Sequence, residues 1–213
     1  MDNNLKPLKV LLINGSPRMD SNSSLLIKEM VSVFNALAVK CEEIEIGTKD
    51  IRGCISCNQC AKKDGCVFDD IVNETAKKFK EADGLIVVSP VYFASPNGTV
   101  ISFLDRLFHS RYYDVRMKVG AAFVIARRAG TTASFDVLNK YFTISGMPVV
   151  SGDYWNNGFG LSQGQIIKDE EGLRNARVVA KRMVFLMSAI REGKEKYPEL
   201  LEEEKRVSTH FIK

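Results

Sequence analysis

Short apolar runs separated by helical patterns constrain this chain more than any other feature. Lys9–Asn14 (KVLLIN), Gly84–Ser89 (GLIVVS) and Val119–Ala126 (VGAAFVIA) are almost uninterrupted by polar side chains. Such runs read as strands covered on both faces, as in a parallel sheet. Ile44–Ile46 and Pro148–Val150 read as two shorter strands. Apolar residues recur at helical spacing between them: Leu25, Leu26, Met30, Val33, Phe34 and Leu37, then Val100, Ile101, Leu104, Leu107 and Phe108. A long amphipathic helix is predicted over Glu170–Glu192, with Ala176, Val179, Ala180, Met183, Val184 and Met187 inward. Two more helices are expected, one capped by Asp69 or Asp70 and running to about Glu81, the other ending near Ile144. Five strands alternating with helices predict an α/β fold, a doubly wound five-stranded parallel sheet with helices on both faces. Right-handed crossovers leave few topologies, and ligands in this architecture bind beyond the carboxyl ends of the strands.

The predicted domain spans residues 1–193. It carries a cysteine-rich insertion loop at about 50–69 and is followed by a charged tail, 194–213. The 213 residues are 45% hydrophobic and 26% charged, which excludes a disordered chain and leaves ample material for a core. The net charge of +4 is spread without a basic block. It suits a small anionic ligand and gives no ground for a nucleic-acid partner. Met1–Lys9 has no apolar core of a secretory signal, and no apolar run approaches the ~20 residues of a membrane span. A cytoplasmic protein with no membrane partner is therefore expected, in a compartment where thiols stay reduced.

Three polar loops fall at predicted strand ends. The first, Gly15 to Ser24, leads from a strand into a helix. Ser16, Arg18, Asn22, Ser23 and Ser24 form a donor-rich cradle there, at a helix N-terminus whose amides and dipole favour an anion. A plain Ser/Asn helix cap is the simpler alternative. Neither the G-x4-G-K-[ST] phosphate loop nor the G-x-G-x-x-G dinucleotide pattern is present. The second loop is Pro90-Val91-Tyr92-Phe93 and onward, and the third begins at Arg127-Arg128.

Four of the five cysteines, Cys54, Cys57, Cys60 and Cys66, have the spacing C-x2-C-x2-C-x5-C. They lie in a 47–70 segment without a clear period, long for a strand-to-helix connection. A cubane [4Fe–4S] cluster needs one thiolate at each of four iron corners, and this set supplies them. Structural zinc, which prefers two C-x2-C pairs farther apart, fits less well. A redox disulfide needs fewer cysteines. Cys41 reads as a small buried hydrophobe. His109 and His210 match no metal-binding spacing, and no G-x-S-x-G elbow occurs. Asp69-Asp70 reads as a helix cap, and Asp105-Arg106 as a surface or interface pair.

Gly15-Ser16-Pro17-Arg18 with Ser21-Asn22-Ser23 resembles the phosphate loop of the NAD(P)H-dependent FMN reductases and iron–sulfur flavoproteins of the flavodoxin-like superfamily. Ser89-Pro90-Val91-Tyr92-Phe93 with Leu104-Asp105-Arg106 resembles that family's second flavin loop. Arg127-Arg128-Ala129-Gly130 and Tyr154-Trp155-Asn156 resemble a subgroup, and the cysteine spacing resembles the iron–sulfur flavoproteins. Cluster-free relatives with a similar cysteine-rich loop keep a loop without iron open. The resemblance implies bound FMN, with Ser16, Arg18, Asn22 and Ser23 on its phosphate and Pro90, Val91, Tyr92 and Phe93 bordering its ring. Arg127 and Arg128 are placed to meet the charge on a reduced flavin, the phosphates of NADH or NADPH, or acids across a subunit contact. Trp155 reads as a packing or oligomer-contact residue. The expected activity is that of a redox flavoprotein passing electrons between FMN, a [4Fe–4S] cluster beside the flavin edge, and an external donor or acceptor. A cluster-free FMN or quinone reductase and a non-enzymatic electron carrier are the alternatives. A homodimer or homotetramer would shield both cofactors.

Overall fold

Alternation along the central strands creates two apolar layers. In the computed structural model, Leu11 and Ile13 of β1 (Lys9–Asn14), Leu85 and Val87 of β3 (Gly84–Tyr92), and Ala122 and Val124 of β5 (Val119–Ala126) share one core. The intervening Val10, Leu12, Ile86, Val88, Ala121 and Phe123 belong to the other. Each strand is buried on both sides because helices cover both faces. Helices α1 (Asn22–Ala36) and α5 (Glu170–Lys196) supply Leu26, Met30, Phe34, Val179 and Met183 to the second core. Helices α2 (Ile71–Glu81), α3 (Gly98–His109) and α4 (Thr131–Thr143) supply Val72, Phe79, Phe103, Leu104 and Leu138 to the first. The structure describes residues 6–202, 204, 205, 207–209 and 211. The remaining positions of the predicted tail, His210 among them, lie outside the described residues.

The strand order is β2-β1-β3-β5-β6, with β2 at Lys40–Glu45 and β6 at Asn157–Phe159, and all these pairs are parallel. This is a five-stranded doubly wound sheet. A sixth, two-residue strand, β4 (Ser95–Pro96), folds back antiparallel on the end of β3. Helix α5 runs four residues past the predicted Glu192, and three strand boundaries also differ from the sequence reading. The fifth parallel strand is not Pro148–Val150, which contributes only an isolated bridge between Val149 and Gly120. Pro148 has no N–H to extend a ladder. The chain leaves the sheet there and returns to pair Asn157–Phe159 with Val124–Ala126. β2 starts at Lys40, four residues before the apolar signal. As an edge strand it exposes Glu43 and Glu45, and those charges blunt the edge. β3 continues through Pro90 to Tyr92, where β4 pairs with it.

Candidate functional site

The crossovers deliver three loops to one edge of the sheet. There, the loop from β1 to α1, the end of β3, and the ends of β5 and β6 enclose a cleft of about 250 Å³. Its first wall is built from the N-terminus of α1. Ser21 caps that helix, its hydroxyl accepting from the amide of Ser24 at 3.1 Å. The amides of Asn22 and Ser23, in the first turn of the helix, make no bond to another protein group among the described residues. They are therefore available to an anion, and the helix dipole reinforces them. Gly15 is fixed beneath this wall by its N–H bond to the Val88 carbonyl at 2.8 Å. Asn97, the cap of α3, donates to the Gly15 carbonyl at 3.2 Å and receives Thr99 N–H at 2.7 Å. The β1–α1 side of the cleft is thus tied to the start of α3.

The predicted loop residues divide into two groups. Ser16, Arg18, Asn22, Ser23, Pro90, Val91, Tyr92 and Arg127 all line the cleft. Ser24, Phe93 and Arg128 do not. Ser24 is buried and joins the Ser21 hydroxyl at 3.0 Å and the Asn14 carboxamide at 3.1 Å, so its side chain serves the fold of the loop. Phe93 is fully exposed at the tip of the β3–β4 hairpin, and Arg128 lies exposed beyond the cleft wall. Asn22 lines the cleft with its carboxamide already engaged. It donates to the carbonyls of Gly160 and Ser162 and accepts from Ile166 N–H, at 3.1 to 3.2 Å. It clamps the 160–166 segment as the far wall. Gly160, Leu161 and Gln163 also line the cleft. No periodicity or motif marks them in the sequence; the glycine in a Gly/Asn-rich loop is the one local signal.

The hairpin tip is held in an uncommon conformation. Phe93 and Ala94 both have positive φ, 52° and 57°. A two-residue turn requires this when it matches the twist of its strands. The tip packs on Gly130, which itself has φ +89°. A Cβ on Gly130 would come within 2.8 Å of the Ala94 Cα, so only glycine allows this approach.

The four clustered cysteines line a separate hollow with Ile55, Val67 and Phe68. No residue of the 54–66 segment lines the cleft. The hollow is closed on one side by Arg106, His109 and Ser110, at the C-terminal end of α3. Cys54 and Cys57 are exposed; Cys60 and Cys66 are half-buried. Left-handed Ser56 and Asn58 turn the backbone around the sulfurs. Among the described residues no three His, Cys, Asp or Glu side chains converge on a point suited to one metal ion. Cys41 lies elsewhere, on β2, where burial pushes its thiol up to about 11.

Arg106 does not take the surface position beside Asp105 that the sequence suggests. It is wholly buried under the cysteine loop. It forms a forked ion pair with Asp70, at 2.6 and 2.9 Å, and donates from Nε to the Cys66 sulfur at 3.3 Å. Burial opposes its charge, but the bonds to Asp70 and Cys66 outweigh that and raise its pKa. Asp70 also caps α2, in agreement with the sequence, accepting from Val72 N–H at 3.0 Å.

Residues 8–161 match the family described as NADPH-dependent FMN reductase, which takes in every loop of the cleft except the end of the 160–166 wall. The chain belongs to that family. Flavin-reductase membership makes it an FMN-binding oxidoreductase. An iron–sulfur flavoprotein of Methanocaldococcus jannaschii is 32% identical, with 87% of this chain and all of the relative covered. Another from Methanosarcina thermophila is 28% identical, covering 89% of this chain and all of the relative. Among solved structures, RosB with a bound formyl-flavin phosphate intermediate aligns with TM-score 0.65 at 16% identity, over 97% of this chain and 92% of that one. A flavodoxin from the Archaea aligns with TM-score 0.54 at 15% identity, over 83% and 99%. At these identities the structural likenesses establish the flavodoxin-like fold. No helix among the described residues of this FMN reductase homologue is long and apolar enough to cross a membrane.

Proposed function

We propose that this protein is an iron–sulfur flavoprotein that exchanges electrons between FMN, a [4Fe–4S] cluster and an external partner, with NADH or NADPH as donor. The observation that carries the reading is the cysteine hollow. Four thiols at C-x2-C-x2-C-x5-C spacing line one concavity, and a buried guanidinium bonds one of the sulfurs. Thiols spread around a hollow suit a group with four separate corners better than a single ion. The name iron–sulfur flavoprotein, carried by relatives that match over their whole length, agrees with this.

FMN supplies hydride acceptance and single-electron transfer, and a cluster supplies single-electron transfer. The residues of this chain do the rest. The free amides of Asn22 and Ser23, with Ser16 and Arg18, would hold the phosphate. Pro90, Val91 and Tyr92 offer a rigid apolar edge for the ring, and Arg127 a cation at the same cleft. Cys54, Cys57, Cys60 and Cys66 would hold the cluster. No side chain is assigned as acid or base.

The cysteine hollow and the cleft share no lining residue. A homodimer or homotetramer that sets the hollow of one copy against the cleft of another is therefore part of the proposal. The exposed Tyr92, Tyr154 and Trp155 offer aromatic surface for such a contact.

Anaerobic purification followed by a visible spectrum with iron and FMN analysis tests the reading. The expected result is about four irons and one flavin per chain. Flavin bands without iron would leave the cluster-free reductase, and absence of flavin would overturn the reading as a whole.

A further inference from the structure

We infer that Arg106 is a positioning residue for Cys66 and sets the reduction potential of the group that the four cysteines bind. This rests on the iron–sulfur reading above. A guanidinium has five N–H donors in a fixed planar fork and no acceptor. All five are engaged here. Nη1 donates to Asp70 Oδ2 at 2.6 Å and to the Arg52 carbonyl at 3.4 Å. Nη2 donates to Asp70 Oδ1 at 2.9 Å and to the Phe68 carbonyl at 3.3 Å. Nε donates to the Cys66 sulfur at 3.3 Å. Four of the bonds form a frame, and the frame aims the fifth at a sulfur.

The frame is stiff for identifiable reasons. The Arg106 side chain has 0% exposure, so solvent does not compete for its donors. The Phe68 ring lies under the guanidiniums of both Arg106 and Arg52, at 5.1 and 5.0 Å. The Arg52 and Phe68 carbonyls bracket the cysteine segment, so one side chain fixes where the loop starts and ends. A lysine, with three donors around one atom, cannot reproduce the fork.

The electrostatic consequence has a definite sign. Asp70 balances the charge of Arg106, and the N–H bond to sulfur remains as a directed dipole. Reduction of a cluster adds negative charge that spreads onto the ligand sulfurs. An N–H donor held on one of them strengthens with that charge and favours the reduced form. Removing the donor therefore lowers the potential. Removing the Asp70 charge while keeping the donor raises it. A purely structural pair would give no such opposition of sign.

The test uses the full chain, loaded with iron and FMN under anaerobic conditions and titrated with dithionite and mediators. The cluster is followed by electron paramagnetic resonance and the flavin by absorbance. Arg106→Gln is expected to lower the cluster's reduction equilibrium constant about tenfold, roughly 59 mV for one electron. Asp70→Asn, which preserves an N-cap on α2, is expected to move the potential upward. Arg106→Lys, which keeps charge without the fork, is expected between wild type and Arg106→Gln. The flavin potential stays in place in all three. If Arg106→Gln fails to retain iron, Asp70→Asn decides, and an unmoved or lowered potential overturns the inference. Iron present with potentials unmoved, or moved in the same direction by both variants, overturns this inference alone. A wild-type chain without iron overturns it together with the reading on which it rests.

Discussion

At the scale of single residues, bracing and binding are separable in the cleft. Asn22 lies at the wall where a phosphate would rest, yet its carboxamide is spent on Gly160, Ser162 and Ile166. The Ser16 hydroxyl bonds only within its own loop, to the backbone of Arg18, and braces no opposing wall. Asn22→Ala is therefore expected to weaken FMN and riboflavin alike, about tenfold each, because it releases the 160–166 wall. Arg18→Ala is expected to weaken FMN while leaving riboflavin, which has no phosphate, unchanged. Fluorescence titration of the flavin-free protein with both ligands measures the difference. An Asn22→Ala variant that loses FMN but keeps riboflavin would return Asn22 to direct phosphate contact.

At the scale of elements, the β3–β4 hairpin holds two non-glycine residues in left-handed conformation, and one of them is a fully exposed phenylalanine. Such a turn accepts Asn-Gly with less strain. Phe93→Asn combined with Ala94→Gly is expected to raise unfolding free energy by about 1–2 kcal/mol in urea, since no buried surface is lost. An unchanged or lower midpoint would mean that the phenylalanine packs on something the single chain does not contain. The same scale shows what the sequence can reveal. β1 and β5 have the bounds of their apolar runs, because both of their faces are covered and pattern and burial coincide. β6 escapes a reading by pattern because Asn157, Gly158 and Phe159 are placed by pairing with β5 and by helix α5, with no apolar run of their own. Arg106 is deceptive in sequence because its neighbour Asp105 offers an obvious partner. The true partner, Asp70, stands 36 residues away and is brought close only by the packing of α2 against α3. The three loops at the sheet edge are legible from topology alone. The membership of the cleft is legible only as far as one loop can be read without the opposing one.

At the scale of the whole molecule, one chain holds the cleft and the cysteine hollow apart. Neither contributes a residue to the other's lining. Light scattering of the cofactor-loaded protein is expected to give two or four chains per particle. A monomer at micromolar concentration would remove the proposed subunit contact and force electrons to travel within a single chain.

Helix α3 spans that separation. Its cap, Asn97, holds the Gly15 carbonyl at one end, and Arg106 holds the cysteine loop near the other. About nine residues of α-helix set these anchors about 14 Å apart. They also fix a rotation, since each added residue turns the rest of the helix by about 100°. A substitution on the solvent face of α3 leaves both anchors where they are. A single-residue insertion or deletion between them would swing Arg106 off its sulfur while Asn97 stayed at the β1–α1 loop. The helix is thus a ruler whose length is more constrained than its letters, and lineages of this sequence should tolerate spelling changes there far more readily than changes in count.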